Sequence, residues 1–521
     1  MWPEVAKRVL EAKRYGPEQV PGSTLGEPVQ PDTMSSVPRY AALWVCFVAL
    51  LSVFVWFSIV DHSGVNGQDG HDYWRLSRAW SAWASGGERP HLQEHPHGYP
   101  ILGALIGGAW GSELEGLRVI SALSLLVMVA LWRAVLRRAF FAGPKLELFL
   151  VFSLVLSPFL LRYSMVVMSD VPAIALAAAA FSATVRWCKA GVPASGAWWL
   201  ILAILTTGMA LTVRLAVAPV VPVFIVAWVY GPEVGRRWRM GAAMLLVLIA
   251  MLVLLLTPGW PWLMELVRGP LREWTPWNLL RRELVSDDGI LRYVLPNGFY
   301  VLSVFGHPGF LPLGLLLLPF LQRSDLAPLH ARLALGVVVV YLLFIGGLPF
   351  QNDRVLLFAQ PFVALLLFPA FVRALEWASA RGLQGYKLVA PVMVVQAVLF
   401  IRAMLPFVQQ GSVERDLIAL VVALNPSRVY THGMGAAFDI GCPNAMVTEL
   451  WYGDIEVFEP GALFVVRPSD LAEQWVGHPP LDNWLRARSQ GVQVLLERSD
   501  GWTIARVMRS PSSAGPASRV L

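Results

Sequence analysis

An all-α polytopic membrane protein with a small C-terminal α/β domain is the class that this 521-residue sequence predicts. Three observations lead there. Hydrophobic residues make up 56% of the chain and charged residues 15%, against roughly 25% charged in ordinary soluble domains. Uncharged runs recur from residue 40 to 401, several near the ~20 residues that a helix needs to cross hydrocarbon. Beyond 405 the composition changes: from Gly411 on there are nine Arg and twelve Asp or Glu, and no run long enough to cross. A mean hydropathy of +0.57 excludes a disordered chain and an ordinary soluble enzyme. Three cysteines (Cys46, Cys188, Cys442) are too few and too scattered for a disulfide framework. The net charge of +6 follows the membrane rather than a nucleic-acid footprint.

The uncharged runs are 40–60, 119–132, 148–161, 171–185, 190–213, 215–232, 240–264, 293–322, 333–352, 355–372 and 388–401, about eleven crossings. The shorter ones (119–132, 148–161, 388–401) reach span length when a flanking charged side chain snorkels. Residues 1–39 are polar and read as a cytosolic tail without a cleavable signal. With that tail inside, the cytosolic loops collect Arg133, Arg137, Arg138, Arg186, Arg236, Arg237, Arg239, Arg323, Arg332, Arg373 and Arg381, and all five lysines of the chain. Residues 98–111 (GYPILGALIGGAWG) are apolar but short. A crossing there would invert every later loop against the charge rule, so they read as an interfacial or re-entrant helix.

The chain divides into the tail 1–39, a transmembrane domain 40–404 with outer loops 61–117 and 258–295, and an extracytoplasmic α/β domain 405–521. In the last, short β-rich runs (428–431, 463–466, 492–496, 502–507) alternate with helical patterns (413–424, 470–475, 481–488). It carries no phosphate-binding glycine motif and reads as a folded lid or docking module. Trp260, Trp262, Trp274 and Trp277 read as headgroup anchors.

Candidate chemistry lies on the outer loops. The first opens Asp61-His62-Ser63-Gly64-Val65-Asn66-Gly67-Gln68-Asp69-Gly70-His71-Asp72-Tyr73, followed by an amphipathic run to Trp83. Its glycines make a turn that sets Asp69 just before a helix, where it would either cap the N-terminus or act as an acid beside the membrane. Five of the nine histidines fall in this loop: His62, His71, His91, His95 and His97. With Glu94 they leave a divalent metal open, since imidazoles and carboxylates are zinc ligands. His95-Pro96-His97 is not a helical i, i+4 pair, however, and it fits hydrogen bonding to a polar substrate better. The second outer loop runs from Arg162 to Pro172, with Ser169 and Asp170 at a helix start. Asp170 is a cap or a second acid facing the first loop. Arg214 and Arg354 stand at the outer ends of spans, where a guanidinium suits a lipid phosphate, a salt bridge to Asp353 or a snorkelling anchor.

In order along residues 40–370, these features resemble the GT-C superfamily of membrane glycosyltransferases, which includes protein O-mannosyltransferases, the aminoarabinose transferase acting on lipid A and glycosyltransferase-39-like proteins. An acid precedes a Tyr and an amphipathic helix (Asp69 to Tyr73). A His-Pro…Tyr-Pro stretch follows (His95-Pro96-His97-Gly98-Tyr99-Pro100). Met168-Ser169-Asp170-Val171-Pro172 is similar to the family's Asp-x-Pro. Arg354 through Gln360-Pro361 is similar to its Arg-Tyr-x-x-Pro segment, with Val355 in place of the aromatic. The resemblance implies an inverting transfer, on the outer face of the inner membrane, from a polyprenyl-phosphate sugar donor to a hydroxyl of a lipid, glycan or protein acceptor. It implies Asp69, Asp170 and Asp72 as catalytic acids, with Asp69 or Asp72 as the base. It also implies Tyr73, His95, His97, Tyr99, Arg162, Arg214 and Arg354 as substrate-binding, and the surrounding membrane lipid as partner. A transporter or flippase for a polar lipid is the alternative, but such proteins place charges near mid-span and repeat their halves. Here the runs are clean and no second-half copy is visible. A third reading is a catalytically silent assembly or sensor protein.

Overall fold

The computed structural model describes residues 40–90, 95–140, 143–190, 193–230, 272–286, 289–311, 313–349, 352–383 and 385–508. The expected span 240–264, Trp260, Trp262, His91 and Glu94 lie outside these residues. Among the described residues seven helices are long and apolar enough to cross a membrane, or eight if a bent pair counts as one. The chain is an integral, multi-pass membrane protein.

The helices follow the uncharged runs. They are α1 (Ala41–Ile59), the amphipathic α2 (Gly67–Ala84), the short α3 (Gly98–Trp110), α4 (Glu113–Phe140), the bent pair α5 (Pro144–Leu150) and α6 (Pro158–Met165), α7 (Asp170–Lys189), α8 (Pro193–Val213), α9 (Val221–Tyr230), α10 (Leu329–Gly346), α11 (Gln360–Ser379) and α12 (Gly385–Leu424). The run 148–161 bends by 62°. There Ser157 accepts a bond from the Leu160 N–H and Pro158 opens a new first turn. The run 293–322 is not one span. Gly306, Pro308 and Pro319 punctuate it, and it folds into short turns, Asn297–Val301, Leu302–Phe305, Gly314–Leu317 and Leu318–Phe320.

Helix α7 is the centre of the bundle, and 83% of its apolar window is buried. Its alanines (Ala173, Ala175, Ala177, Ala178, Ala180) let neighbours approach closely, as small residues do between membrane helices. Trp132 fills the adjoining space, its ring 5.2 Å from Phe181 and 5.3 Å from Phe362. One buried ion pair ties α4 to α5: Arg133 donates to Glu147 at 2.6 Å, and the Ala42 N–H donates to the same carboxylate at 3.1 Å. Helix α3 has 13 residues, about 20 Å at 1.5 Å each, short of a ~30 Å hydrocarbon core. It lies in a glycine seam against α4, where a Cβ at Gly103 would strike Leu117 and one at Gly116 would strike the Gly103 carbonyl.

The remainder builds on α12, a helix of 40 residues. At about 60 Å it is roughly twice the hydrocarbon thickness, so the division expected at 404/405 falls inside one continuous helix. The far end of α12 carries a five-stranded sheet of β3 (Arg428–Thr431), β4 (Met446–Glu449), β5 (Leu463–Val466), β6 (Val492–Glu497) and β7 (Thr503–Val507), in order β4-β3-β5-β7-β6. β1 (Glu283–Ser286) and β2 (Gly289–Arg292) form a separate hairpin within the loop 258–295. The pairs β3/β4 and β3/β5 are parallel; β5/β7 and β6/β7 are antiparallel. Alternation gives the sheet two apolar faces. Val429, Leu463, Val465 and Ile504 pack with Leu417 and Val421 of α12 and Phe438 of α13 (Gly435–Gly441). Tyr430, Phe464 and Ala505 pack with Leu471 of α14 (Pro468–Gln474) and Trp484 of α15 (Pro479–Gln490). Strand β4 was not expected from the sequence, because Met446-Val447-Thr448-Glu449 has neither an apolar run nor strict alternation.

Candidate active site

Helix α2 lies between the bundle and the sheet domain. Its position follows from its two faces. His71 points to α12 and pairs with Glu414 at 3.0 Å, while Arg75 reaches Asp439 of α13 at 2.7 Å. Asp69, Asp72 and Tyr73, spaced i, i+3 and i+4, share another side of the helix.

Four charged groups alternate there. The Arg354 guanidinium donates to Asp69 at 2.6 Å and lies 3.4 Å from Asp170. Arg214 pairs with the other Asp170 oxygen at 3.1 Å and donates to Ser169 at 3.3 Å. The Tyr73 hydroxyl closes the set at 2.8 Å from Ser169. Neither carboxylate makes a side-chain cap at its helix start: Asp69 sits in the first turn of α2 and Asp170 opens α7, but both turn to arginines. Nor does Arg354 pair with its neighbour Asp353. The exposures differ. The Asp170 side chain is 2% exposed and that of Asp69 is 34% exposed, so only Asp69 is open to an incoming group.

Electrostatics follow the geometry. Burial pushes the Asp69 carboxyl upward, but Arg354, His95 and Arg214 outweigh it and hold the group below the usual carboxylate range. Burial works against the charge on Arg354, yet Asp170 and Asp69 raise its pKa above the ordinary value. Burial raises that of Tyr73.

The other expected residues have distinct surroundings. His95 lies 3.8 Å from Asp69 and 3.7 Å from Asp72, and Asp72 also pairs with Arg75 at 2.8 Å. His97 accepts from the Trp80 indole at 3.0 Å, and burial lowers its pKa to about 4. The Tyr99 hydroxyl is engaged by Ser121 at 2.8 Å, while its ring packs edge-on against Tyr73. Arg162 pairs with Asp353 and is enclosed by the rings of Phe159, Tyr163 and Phe407. It therefore stands apart from the Arg354 group. Among the described residues no set of three or more His, Cys, Asp or Glu side chains is arranged to hold a metal ion.

Beside Asp69 a cavity of about 410 Å³ opens between α2 and the sheet domain, lined by Asp72, Arg75, His95, Asp439, Glu449 and Tyr452. Glu449, at the end of β4, accepts backbone N–H bonds from Gly433 and Gly435. A Cβ at Gly435 would collide with that carboxylate. Burial pushes the Glu449 pKa up to about 8 against those two bonds. Asp439, Glu449 and Ser169 were not singled out as functional from the sequence. Ser169 was visible only as the residue before Asp170, and the two acids have no local signal at all.

The bundle, the amphipathic α2 and the sheet domain beyond the last span together make a fold that is also found in solved structures. The chain is similar in structure to ArnT from Cupriavidus metallidurans bound to undecaprenyl phosphate, with a TM-score of 0.55 and 15% identity over 90% of this chain and 98% of that one. It is also similar to the apo state of the same protein, with a TM-score of 0.52 and 16% identity over 91% and 99%. The Archaeoglobus fulgidus oligosaccharyltransferase complex with zinc and sulfate overlaps 77% of this chain and 62% of its own at 11% identity, with a TM-score of 0.42. No family model and no curated protein matches the sequence.

Proposed function

We propose that the protein is a membrane glycosyltransferase. It moves a sugar from a polyprenyl-phosphate-linked donor to an acceptor hydroxyl at the extracytoplasmic face of the inner membrane, with inversion. The observation that carries this reading is the alternation Asp69–Arg354–Asp170–Arg214, with its one solvent-open carboxylate at the end. Two guanidinium groups held by a buried acid form a fork for phosphate oxygens. The ArnT structure with undecaprenyl phosphate supports a lipid phosphate as the donor's leaving group.

The chemistry balances in one displacement. The donor phosphate takes the place of Asp69 at Arg354. Asp69 is then free of its ion pair and becomes a better base. It removes the acceptor O–H proton as that oxygen attacks the anomeric carbon. The bond from anomeric carbon to phosphate oxygen breaks, and the phosphate departs with the electron pair, held by Arg354 and Arg214. A phosphate leaving group needs little protonation, so one general base suffices. Asp170 positions both arginines. The cavity between α2 and the sheet domain takes the acceptor, and its mixture of carboxylates, Arg75, His95 and Tyr452 suits a hydroxyl-rich saccharide.

The reading is tested by mass spectrometry of envelope glycans and lipid-linked sugars from cells with and without the gene. A glycan missing one sugar, with its lipid-linked donor accumulated, is expected; identical profiles would remove the proposal. Sidedness is tested by cysteine labelling at positions 69, 287 and 452, the last an exposed site beside the buried Leu450. Blocking by an impermeant reagent added outside is expected, and labelling only from the cytosol would reverse it.

A further inference from the structure

A second cavity, of about 520 Å³, lies at the other end of α7 from Asp170. Twenty residues separate the two ends, about 30 Å along the helix. Three cations line it: Arg138 in the last turn of α4, and Arg186 and Lys189 in the last turn of α7. Arg186 lies 4.1 Å from the Trp199 ring. Among the described residues none of the three pairs with a carboxylate. Glu147, Glu376 and Asp325 are taken instead by Arg133, Lys145 and Arg373.

Cations in a last turn ordinarily complement the helix dipole. That account covers Arg137, which does not line the cavity, as well as Arg138. It does not cover His330, which also lines the cavity but belongs to the first turn of α10. His330 is 4% exposed, and among the described residues neither ring nitrogen has a partner. A buried imidazole left without a hydrogen bond costs free energy, and such groups in native proteins mark an ion, a water or a ligand. Here the group shares its cavity with three positive charges that have no carboxylate partner among the described residues. The remaining walls, Val135 and Val185 among them, are apolar.

We propose that this cavity binds a phosphate group, that of an anionic phospholipid headgroup in the leaflet opposite the acid–arginine site. The arginines and Lys189 neutralise the phosphate and His330 donates to it. The apolar walls carry the glycerol and the first acyl carbons. Free inorganic phosphate offers the same chemistry, and the test separates the two. The inference does not depend on the proposed transferase reaction.

The test is native mass spectrometry of the full chain with added phosphatidylglycerol or phosphatidylcholine. Phosphatidylglycerol is expected to stay bound under conditions that strip phosphatidylcholine. R138Q/R186Q is expected to weaken the phosphatidylglycerol adduct about tenfold, R138K/R186K to keep it, and R137Q to leave it unchanged. Should the double variant fail to fold, Lys189→Gln, at an exposed position, gives a smaller loss in the same direction. Displacement of the lipid by millimolar inorganic phosphate assigns the site to free phosphate, and no displacement assigns it to the headgroup. Equal retention of the two lipids, or a loss in R137Q as large as in R138Q/R186Q, overturns the proposal.

Discussion

Arg162 and Arg354 are both guanidinium groups at the same end of the bundle. One is bonded to Asp353 and the other follows it in the chain, yet they are held in opposite ways. Arg162 has a single acid partner and three aromatic walls, at Phe159, Tyr163 and Phe407. Arg354 is shared between two carboxylates, one buried and one open. A cation held by one acid and walled in by aromatic rings is part of the architecture. A cation suspended between two acids, one of which can leave, is ready to exchange a partner. Type and location in the sequence do not separate these cases; the surroundings do.

The sharpest way to break the comparison is at Asp69. Asp69→Asn is expected to lower transfer by roughly 10² to 10⁴-fold while the protein is made and inserted normally. A smaller loss there than in Asp72→Asn, measured with the same donor, would move the base to Asp72. Next comes Arg354→Gln. It is expected to raise the KM for donor about tenfold or more, and to shift the acid limb of the kcat/KM profile upward in pH. The sign follows from burial, which alone would raise the Asp69 pKa; Arg354 now holds it down. An unmoved acid limb would mean that Asp69 is not the titrating base.

Arg162→Ala should show the contrary pattern. Loss of a pair with a partly exposed partner is expected to cost roughly 2–3 kcal/mol of stability, read as a lower unfolding midpoint in detergent. Donor KM should be unchanged in the fraction that remains folded; a selective rise in KM would place Arg162 with the ligand-binding group after all.

The smallest effect is expected at Glu449. Its folded pKa, about 8, lies above the ordinary carboxylate value. Its contribution is therefore fully present below about pH 4.5 and is lost as pH rises through 8. Glu449→Gln should flatten the fall in unfolding midpoint between about pH 4.5 and 8. An unchanged pH slope in that variant would show that another group is responsible.

Much of the fold was legible because hydrocarbon imposes a simple code of long uncharged runs, and because short runs of β-branched and aromatic residues mark strands. The runs at 428–431 and 463–466 became β3 and β5 for that reason. The run 293–322 misled: its composition is that of a span, but Gly306, Pro308 and Pro319 decide the backbone. The meeting of Asp69 with Asp170 and Arg354 was expected from the order of loops along the chain and from likeness to a family. The part played by Asp439 and Glu449 was not legible. They lie more than three hundred residues from Asp72 in sequence, and only tertiary folding brings them to the same cavity. The enclosure of Arg162 was hidden in the same way, since Phe407 and Asp353 come from distant segments.

Helix α12 fixes both the rotation and the height of the sheet domain. The rod is rooted among the membrane helices at one end and forms the floor of the sheet at the other, with Glu414 gripping His71 between them. Adding a single residue upstream of Glu414 would turn everything beyond it by about 100° and lift it about 1.5 Å, swinging Asp439 and Glu449 away from α2. Chimaeras that borrow a sheet domain from another protein must therefore match both helical phase and length, because even a full-heptad insert, which restores phase to within about 20°, lifts the domain about 10 Å off α2.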